Sequence, residues 1–247
     1  MKFKSIGEFY LWLQNHEMCI LDSGSQGICY KIGNKVYKIF IQFIDEWQDD
    51  MIVYDYDDIL KFKDIVNGTY VFPSDVIMVG DIVVGYITNY VNARSLNKID
   101  PLCVDLDKFE RDLELVYPDI MVISKNGVCS YDVLYNILYG KDGFKIIDTM
   151  EYACVPMNSI ELYDTNKRNF NIGIGWFLTY GYFDDFLLNE DSLNCMLCDY
   201  NVDMISFLRE FRNRLSKNEG SEIRKLGDAK NSIVIKKYKK PKYIREL

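Results

Sequence analysis

Two glycines and a lysine stand at a spacing that could bind phosphate. Gly24 and Gly27 interrupt a stretch with the alternating pattern of β-strands, and Lys38 follows eleven residues after Gly27 on the predicted returning strand. Glycine lets a backbone turn approach phosphate oxygens closely and present its N–H groups to them. A lysine on the neighbouring strand can reach the same phosphates. The spacing therefore predicts a phosphate-binding turn, although taken singly the glycines also suit an ordinary hairpin and Lys38 an exposed strand position.

Asn136 and Asp148 form a second pair that could carry chemistry. They lie twelve residues apart, on predicted short strands at 136–139 and 144–147 that are separated by a glycine-containing turn. Amide and carboxylate oxygens are hard ligands of the kind that Mg²⁺ prefers. The pair therefore predicts a magnesium site, and the alternative is that both residues are turn formers.

The secondary structure around Gly24, Gly27 and Lys38 is predicted from apolar periodicity and from turn residues. Apolar spacing predicts a short helix near 6–13 and a longer one from about 47 to 66. Gly33-Asn34 and Gly80-Asp81 each separate two apolar runs, which is typical of β-hairpins. We therefore expect hairpin, helix and hairpin in the first ninety residues.

The rest of the chain is predicted to be mainly helical. A helix is expected at 105–116, and after Pro118 the sequence favours short β-type segments around 120–123 and at Val128. From about 166 to 215 we expect mostly helix.

In this order the residues resemble the protein-kinase-like superfamily, over roughly 20–215 of the chain. The resemblance implies an α+β fold with a small, antiparallel, β-rich N-lobe, a mainly helical C-lobe, and binding of ATP with Mg²⁺. The matching residues are Gly24 and Gly27 for two glycines of the glycine-rich loop, Lys38 for the strand-three lysine, Asn136 for the catalytic-loop asparagine, and Asp148 for the aspartate of the DFG motif.

The resemblance also implies roles for residues outside these motifs. The segment with Asn89 and Val91 matches the hinge, whose backbone would meet the adenine. Asp58, or failing that Asp57, stands where the family has the acid that holds the lysine. Asp132 would orient the acceptor hydroxyl or accept its proton, so Asp132 and Lys38 are the candidate catalytic residues.

Several positions depart from the family pattern. Thr149 and Met150 follow Asp148, and Ser130 and Tyr131 replace the histidine and arginine of the HRD motif. Asp132 lies four residues before the metal-binding asparagine instead of five, so either the loop is one residue shorter or Tyr131 occupies the base position. Two functions stay open: an ATP-dependent phosphotransferase of small bacterial type with an unknown protein or small-molecule acceptor, or a pseudokinase that binds nucleotide or partners.

The domain organisation follows the same resemblance. We expect an N-lobe at 1–91, a C-lobe at 92–220 and a basic C-terminal tail at 221–247. The tail carries nine Lys or Arg against three Asp or Glu, whereas the whole chain has a net charge of −8. An acidic body does not suit nucleic-acid binding, because phosphate contacts need clustered Lys and Arg. Contact with nucleic acid is thus expected only through the tail, which could also contact an anionic membrane or the acidic body of the chain itself. A solvated segment is the favoured interpretation.

The composition indicates the cellular compartment of the protein. Seven cysteines without regular spacing argue against a disulfide scaffold and for a reducing environment. The longest uncharged stretch, 169–183, is too short and too rich in Asn and Gly to cross a bilayer. We therefore expect a cytoplasmic protein without a membrane span.

Overall fold

The chain has an α+β fold with a mixed β-sheet and several helices. The computed structural model describes residues 1–24, 26–43, 53–198 and 203–234. They group into two compact units, which are described separately. Unit 1 comprises 1–66, 71–92 and 148–151, and unit 2 comprises 67–70, 93–147 and 152–247, in each case as far as they are described.

Unit 1 is built on a six-stranded sheet. The strand order is β1-β5-β6-β4-β3-β2, and every neighbouring pair is antiparallel except β1 with β5. Two helices accompany it, α1 (Ile6–Gln14) and α2 (Tyr56–Leu60). The strands are β1 (Lys2–Phe3), β2 (Met18–Gly24), β3 (Gly27–Ile32), β4 (Lys35–Phe40), β5 (Asp75–Val79) and β6 (Ile82–Asn89).

The hairpin turns of unit 1 lie where the sequence predicted them. Gly33 and Gly80 adopt positive φ angles of 56° and 60°, which a residue without a Cβ tolerates best. Apolar side chains from the sheet and from α1 pack into one core, in which Phe9, Ile39 and Ile77 are fully buried. The sheet is therefore fixed both by its turns and by its buried face.

The helix expected at about 47–66 is described only in part. Residues 44–52 lie outside the described residues, and α2 covers Tyr56–Leu60. Asp55 caps this helix, since its side chain accepts a hydrogen bond of 2.7 Å from the N–H of Asp57. The two acidic residues in the first turn also suit the positive end of a helix.

Unit 2 is mainly helical. Its strands form two small antiparallel sheets, one of order β10-β9-β7 and one pairing β11 with β8. The elements are β7 (Ala93–Ser95), α3 (Leu106–Lys125), β8 (Val128–Cys129), α4 (Val133–Asn136), β9 (Ile137–Gly140), β10 (Gly143–Ile146), β11 (Ala153–Cys154), α5 (Ser159–Thr179), α6 (Asp184–Leu187), α7 (Asp191–Cys198) and α8 (Met204–Glu219).

Helix α3 corrects the prediction of a helix ending before Pro118. It continues to Lys125, so the strand expected at 120–123 is helix. Proline in a helix costs about 3 kcal/mol. On its C-terminal side Ile120 and Ile123 are fully buried, and each buried side chain of this size contributes about 1.5–3 kcal/mol. Burial on both sides of the proline therefore offsets its cost.

Helix α5 also begins earlier than expected, at Ser159 rather than near Asn166. The Asn158 side chain caps it, accepting hydrogen bonds of 3.1 Å and 2.9 Å from the N–H groups of Ile160 and Glu161. The prediction missed this start because it did not recognise Asn158 as a helix-capping residue.

Part of the predicted tail is packed rather than solvated. Ile223, Leu226 and Ala229 are fully buried in unit 2, and the Arg212 guanidinium donates a hydrogen bond of 2.6 Å to the carbonyl oxygen of Ile223. The expectation of a solvated tail is therefore wrong up to Val234. The strongly basic segment 235–247 lies outside the described residues.

No helix within the described part of the chain is both long and apolar enough to cross a membrane.

Candidate functional site

The residues singled out by sequence fall into both units. Lys38 and Asp148, which are 110 residues apart, belong to the same unit. Unit 1 holds Gly24, Gly27, Lys38, Asp58, Asn89, Val91 and Asp148, and unit 2 holds Asp132 and Asn136.

The glycine turn joins strands β2 and β3. Gly24 and Gly27 pair directly across this turn, and Gly27 also pairs with Phe40 on β4. A Cβ added to Gly27 would lie 2.1 Å from the carbonyl oxygen of Ile39, far inside van der Waals contact. Glycine is therefore required at this position for the close approach of β3 and β4.

Lys38 lies on β4 and is buried, with 8% of its surface exposed. Its ammonium donates a hydrogen bond of 2.5 Å to Asp148 Oδ1 and one of 3.1 Å to Gln26 Oε1. A buried cation is costly unless it is paired, and here a carboxylate and an amide of the glycine turn provide the partners. The three residues form one polar cluster in unit 1.

Asp148 adopts a left-handed backbone conformation, with φ at 58°. The residues that follow it are anchored: the Thr149 hydroxyl donates a hydrogen bond of 3.0 Å to the carbonyl oxygen of Val71, and Met150 packs into the unit 1 core. A strained residue of this kind persists when its surroundings determine its conformation, and such residues concentrate at functional sites.

Tyr86 completes the cluster from strand β6. It is buried, and its hydroxyl donates a hydrogen bond of 2.8 Å to Asp148 Oδ1, the same oxygen that pairs with Lys38. Burial, and after it the charge of Asp148, raises the pKa of Tyr86 well above its usual value. The phenol therefore stays protonated and can only donate to the carboxylate.

Cys29 lies directly opposite Lys38 on β3. Burial raises the pKa of its thiol to about 11, although the nearby lysine acts in the opposite direction. The thiol is thus protonated at neutral pH and adds no charge beside the cluster.

Asp58 does not meet Lys38 in this structure. It is exposed on the first turn of α2 and forms no ion pair with any described residue, and Asp57 is exposed as well. The carboxylate that pairs with Lys38 is that of Asp148. Lys38 is thus paired with a residue that we had assigned to metal binding alone, and a pairing with Asp58 in a nucleotide-bound state stays a prediction.

The predicted hinge follows the end of β6. The Asn89 side chain is engaged within the sheet, where its Oδ1 accepts a hydrogen bond of 2.8 Å from Lys35. Tyr90 donates its N–H to the carbonyl oxygen of Asn34 at 2.8 Å. The main-chain groups of Val91 have no hydrogen-bond partner among the described residues, so they are the groups of this segment that remain able to bind a ligand.

In unit 2, Asp132 is the second aspartate with a left-handed backbone, with φ at 47°. Its carboxylate is exposed and forms no hydrogen bond with the residues that the structure describes. Asn136, one helical turn later, donates from Nδ2 to the carbonyl oxygen of Asp132 at 2.9 Å, and its own carbonyl oxygen accepts from Ile147 at 3.1 Å. The loop is fixed while the carboxylate is left available.

A buried amide on α5 supports this loop. Asn166 Oδ1 accepts from both the N–H and the hydroxyl of Ser130, at 2.8 Å and 2.9 Å. Its Nδ2 donates to Ser124 Oγ and to the carbonyl oxygen of Val128, and the Asn169 amide donates to the carbonyl oxygen of Ser130 at 2.7 Å. Asn166 is fully buried, so the segment before Asp132 is held by a satisfied polar network.

Each unit contains one predicted magnesium ligand, and each is described by itself. Asp148 in unit 1 keeps Oδ2, and Asn136 in unit 2 keeps Oδ1, without a hydrogen bond to a described residue. Mg²⁺ is commonly held by one or two protein oxygens together with phosphate and water, so a larger acidic cluster is not required. Within the described ranges no group of three or more His, Cys, Asp or Glu could hold a metal.

Sequence reasoning missed Tyr86, Gln26 and Asn166. Tyr86 pairs directly with Lys38 between strands β4 and β6, but more than forty residues separate the two strands, so turn chemistry could not give their register. Asn166 was taken only as a helix start, and no local pattern indicates that its amide is buried.

The arrangement can hold an anion at Lys38 and a cation at Asp148, side by side. Such a pair of charges suits a metal-bound phosphate. No protein-family model matches the sequence, and no curated protein matches it.

Proposed function

We propose that the protein is an ATP- and Mg²⁺-dependent phosphotransferase with a two-lobed protein-kinase-like fold. The observation that carries the proposal is the 2.5 Å contact between Lys38 and Asp148. The sequence selected these two residues separately, one for phosphate and one for metal, and they are joined within unit 1.

The charges of this pair favour a nucleotide. A lysine and an aspartate that neutralise each other can each change partner when Mg-ATP binds. The ammonium then binds the phosphates, and the carboxylate binds the metal. Gln26, which lies in the glycine turn, accepts a hydrogen bond of 3.1 Å from the same ammonium. Within unit 1, Lys38 would hold the phosphates and Asp148 would supply an oxygen ligand to Mg²⁺. From its place in the sequence motif, Asn136 is proposed as a second Mg²⁺ ligand.

The acceptor is proposed to be a hydroxyl group positioned by Asp132. An exposed carboxylate without a hydrogen-bond partner among the described residues can accept a proton from such a group. Tyr131 is a poor alternative, because a phenol with a pKa of about 10 stays protonated at neutral pH.

The content of each unit is compatible with the proposed fold. Unit 1 contains an almost entirely antiparallel sheet, and unit 2 is mainly helical with a short β-hairpin after Asp132. These features support two kinase-like lobes as part of the proposal.

A second candidate is a pseudokinase that binds nucleotide or a partner without transferring phosphate. It is favoured by the same ion pair, since Lys38 and Asp148 satisfy each other without any ligand and could serve as a structural link. The replacement of the HRD histidine and arginine by Ser130 and Tyr131 points the same way.

Turnover of ATP decides between the two candidates. We expect Mg²⁺-dependent formation of ADP when the protein is supplied with a panel of peptide and small-molecule alcohols. Lys38→Met should abolish it, whereas Lys2→Met, which removes an exposed lysine of the same sheet, should not. ATP binding without any turnover would select the pseudokinase, and absence of ATP binding would overturn the phosphotransferase and leave only the partner-binding form of the pseudokinase.

A further inference from the structure

The Tyr86 hydroxyl is a buried donor with a single hydrogen-bond partner among the described residues. It donates to Asp148 Oδ1 at 2.8 Å, and its ring packs against Phe40 with ring centroids 6.0 Å apart. Its backbone lies directly opposite Lys38, which donates to the same carboxylate oxygen. Two donors on neighbouring strands therefore converge on one atom.

This convergence makes the two oxygens of Asp148 unequal. Oδ1 accepts from an ammonium at 2.5 Å and from a phenol at 2.8 Å, and Oδ2 forms no hydrogen bond with a described residue. An oxygen that already accepts two hydrogen bonds is a poor metal ligand, so Oδ2 is the one suited to a cation. Two donors on Oδ1 also restrict rotation of the carboxylate about its own axis.

Lys38 alone could not maintain this inequality once nucleotide binds. A lysine that turns to the phosphates weakens its bond to Asp148, since one ammonium has three donors to share. The buried phenol on the central strand β6 has no such alternative, because Asp148 Oδ1 is the acceptor of its hydroxyl among the described residues. The hydroxyl of Tyr86 is then the group that still fixes Oδ1.

We propose that Tyr86 is a positioning residue that orients Asp148 so that Oδ2 is the oxygen presented to a divalent cation bound with a nucleotide. The inference rests on the proposed function, because it assumes that Asp148 binds the metal. Hydrogen-bond partners of metal ligands typically contribute 10- to 100-fold in metal affinity or activity.

The test is a titration of Mg²⁺ at fixed ATP, followed as ATP binding, with the full chain. Tyr86→Phe removes one oxygen and keeps the ring. We expect its apparent Mg²⁺ affinity to fall by about 10- to 100-fold, while ATP binding without metal stays as in the wild type. The control is Tyr37→Phe, a buried tyrosine of β4 whose hydroxyl does not contact Asp148.

The outcomes separate this inference from the proposed function. A wild type without Mg²⁺-dependent ATP binding overturns both. A wild type that binds Mg-ATP, with Tyr86→Phe unchanged or with metal-free binding weakened equally, overturns only the role of Tyr86. Should Tyr86→Phe fail to fold, Tyr86→Met fills the volume with a flexible apolar side chain that lacks a donor, and the same shift is expected.

Discussion

Two aspartates with left-handed backbones, one in each unit, are stabilised in opposite ways. Asp148 and Asp132 are the non-glycine residues with positive φ in the described part of the chain. Asp148 is held through its carboxylate, which accepts from Lys38 and Tyr86. Asp132 is held through the main chain around it, and its carboxylate is exposed. A carboxylate held by two donors suits a metal ligand, which must keep its position. An exposed carboxylate suits a group that contacts a substrate.

The left-handed conformation costs about 1–2 kcal/mol for a residue with a Cβ. In unit 1 the cost is offset by the ion pair and by the anchoring of Thr149 and Met150. In unit 2 it is offset by the Asn136 hydrogen bond and by burial of Val133, next to Asp132. Substitutions at the residues that hold these two aspartates should therefore affect activity and stability to different extents in the two units.

The largest difference between the effect on activity and the effect on stability is expected at Asp132. Asp132→Asn should lower phosphoryl transfer by about a hundredfold or more, the usual scale for a general base. Mg-ATP binding and the melting temperature should stay as in the wild type, because the carboxylate has no hydrogen bond to a described residue to lose. Initial rates with the best acceptor, compared with thermal denaturation, check both parts. A variant with full turnover would exclude Asp132 as the base.

A loss of stability is expected where the unit 2 loop is held. Asn166→Ala leaves the N–H of Ser130 and the carbonyl oxygen of Val128 buried without their partner. Each unsatisfied buried group costs about 1–3 kcal/mol, so we expect about 2–4 kcal/mol less stability in urea denaturation. Asn194→Ala, at an exposed position of α7, is the control and should change little. Equal effects of the two would contradict the supporting role of the network.

In unit 1 a smaller loss is expected at the glycine turn. Gly27→Ala places a Cβ 2.1 Å from the Ile39 carbonyl oxygen, so the strands must separate, at about 1–3 kcal/mol. Gly7→Ala in α1 meets nothing closer than 3.8 Å and should stabilise by at most about 1 kcal/mol. The same denaturation curves measure both, and a neutral Gly27→Ala would show that the close approach of β3 and β4 is dispensable.

The smallest effect is expected at Asp58. Asp58→Asn alters an exposed side chain without an ion pair to a described residue, so stability should change by less than about 0.5 kcal/mol and Mg-ATP binding not at all. Isothermal calorimetry on this variant checks the assignment. A marked loss of ATP affinity would restore Asp58 as the partner of Lys38 in the nucleotide-bound state.

The sequence predicted what local rules determine. The turns at Gly33 and Gly80, the glycine turn before β3 and the hairpin after Asn136 all follow from short-range residue preferences, and the structure contains them. Helix α3 was cut short in the prediction, because the local cost of Pro118 is overcome only by burial that the tertiary fold supplies.

At the candidate site the residue types were predictable but their partners were not. Lys38 and Asp148 were selected by spacing, whereas their direct contact and the hydroxyl of Tyr86 depend on the register of strands far apart in sequence. Asp58 was placed by its distance from Lys38 in the family pattern; in the structure it is exposed in the first turn of α2, where a negative charge suits the helix N-terminus.

Calorimetry of ATP binding with and without Mg²⁺ tests the central claim most directly, on the wild type and on Asp148→Asn. Asparagine tolerates the left-handed backbone, but it leaves the buried Lys38 ammonium without a counter-charge and should lower stability, so circular dichroism first verifies that the variant is folded. We predict that Mg²⁺ strengthens ATP binding to the wild type and that Asp148→Asn loses at least about tenfold of this gain. Asp81→Asn, an exposed aspartate of the same unit paired with Lys2, should keep it in full. Full Mg²⁺ dependence in Asp148→Asn, or none in the wild type, would contradict the assignment of the Lys38–Asp148 pair to a metal-bound nucleotide.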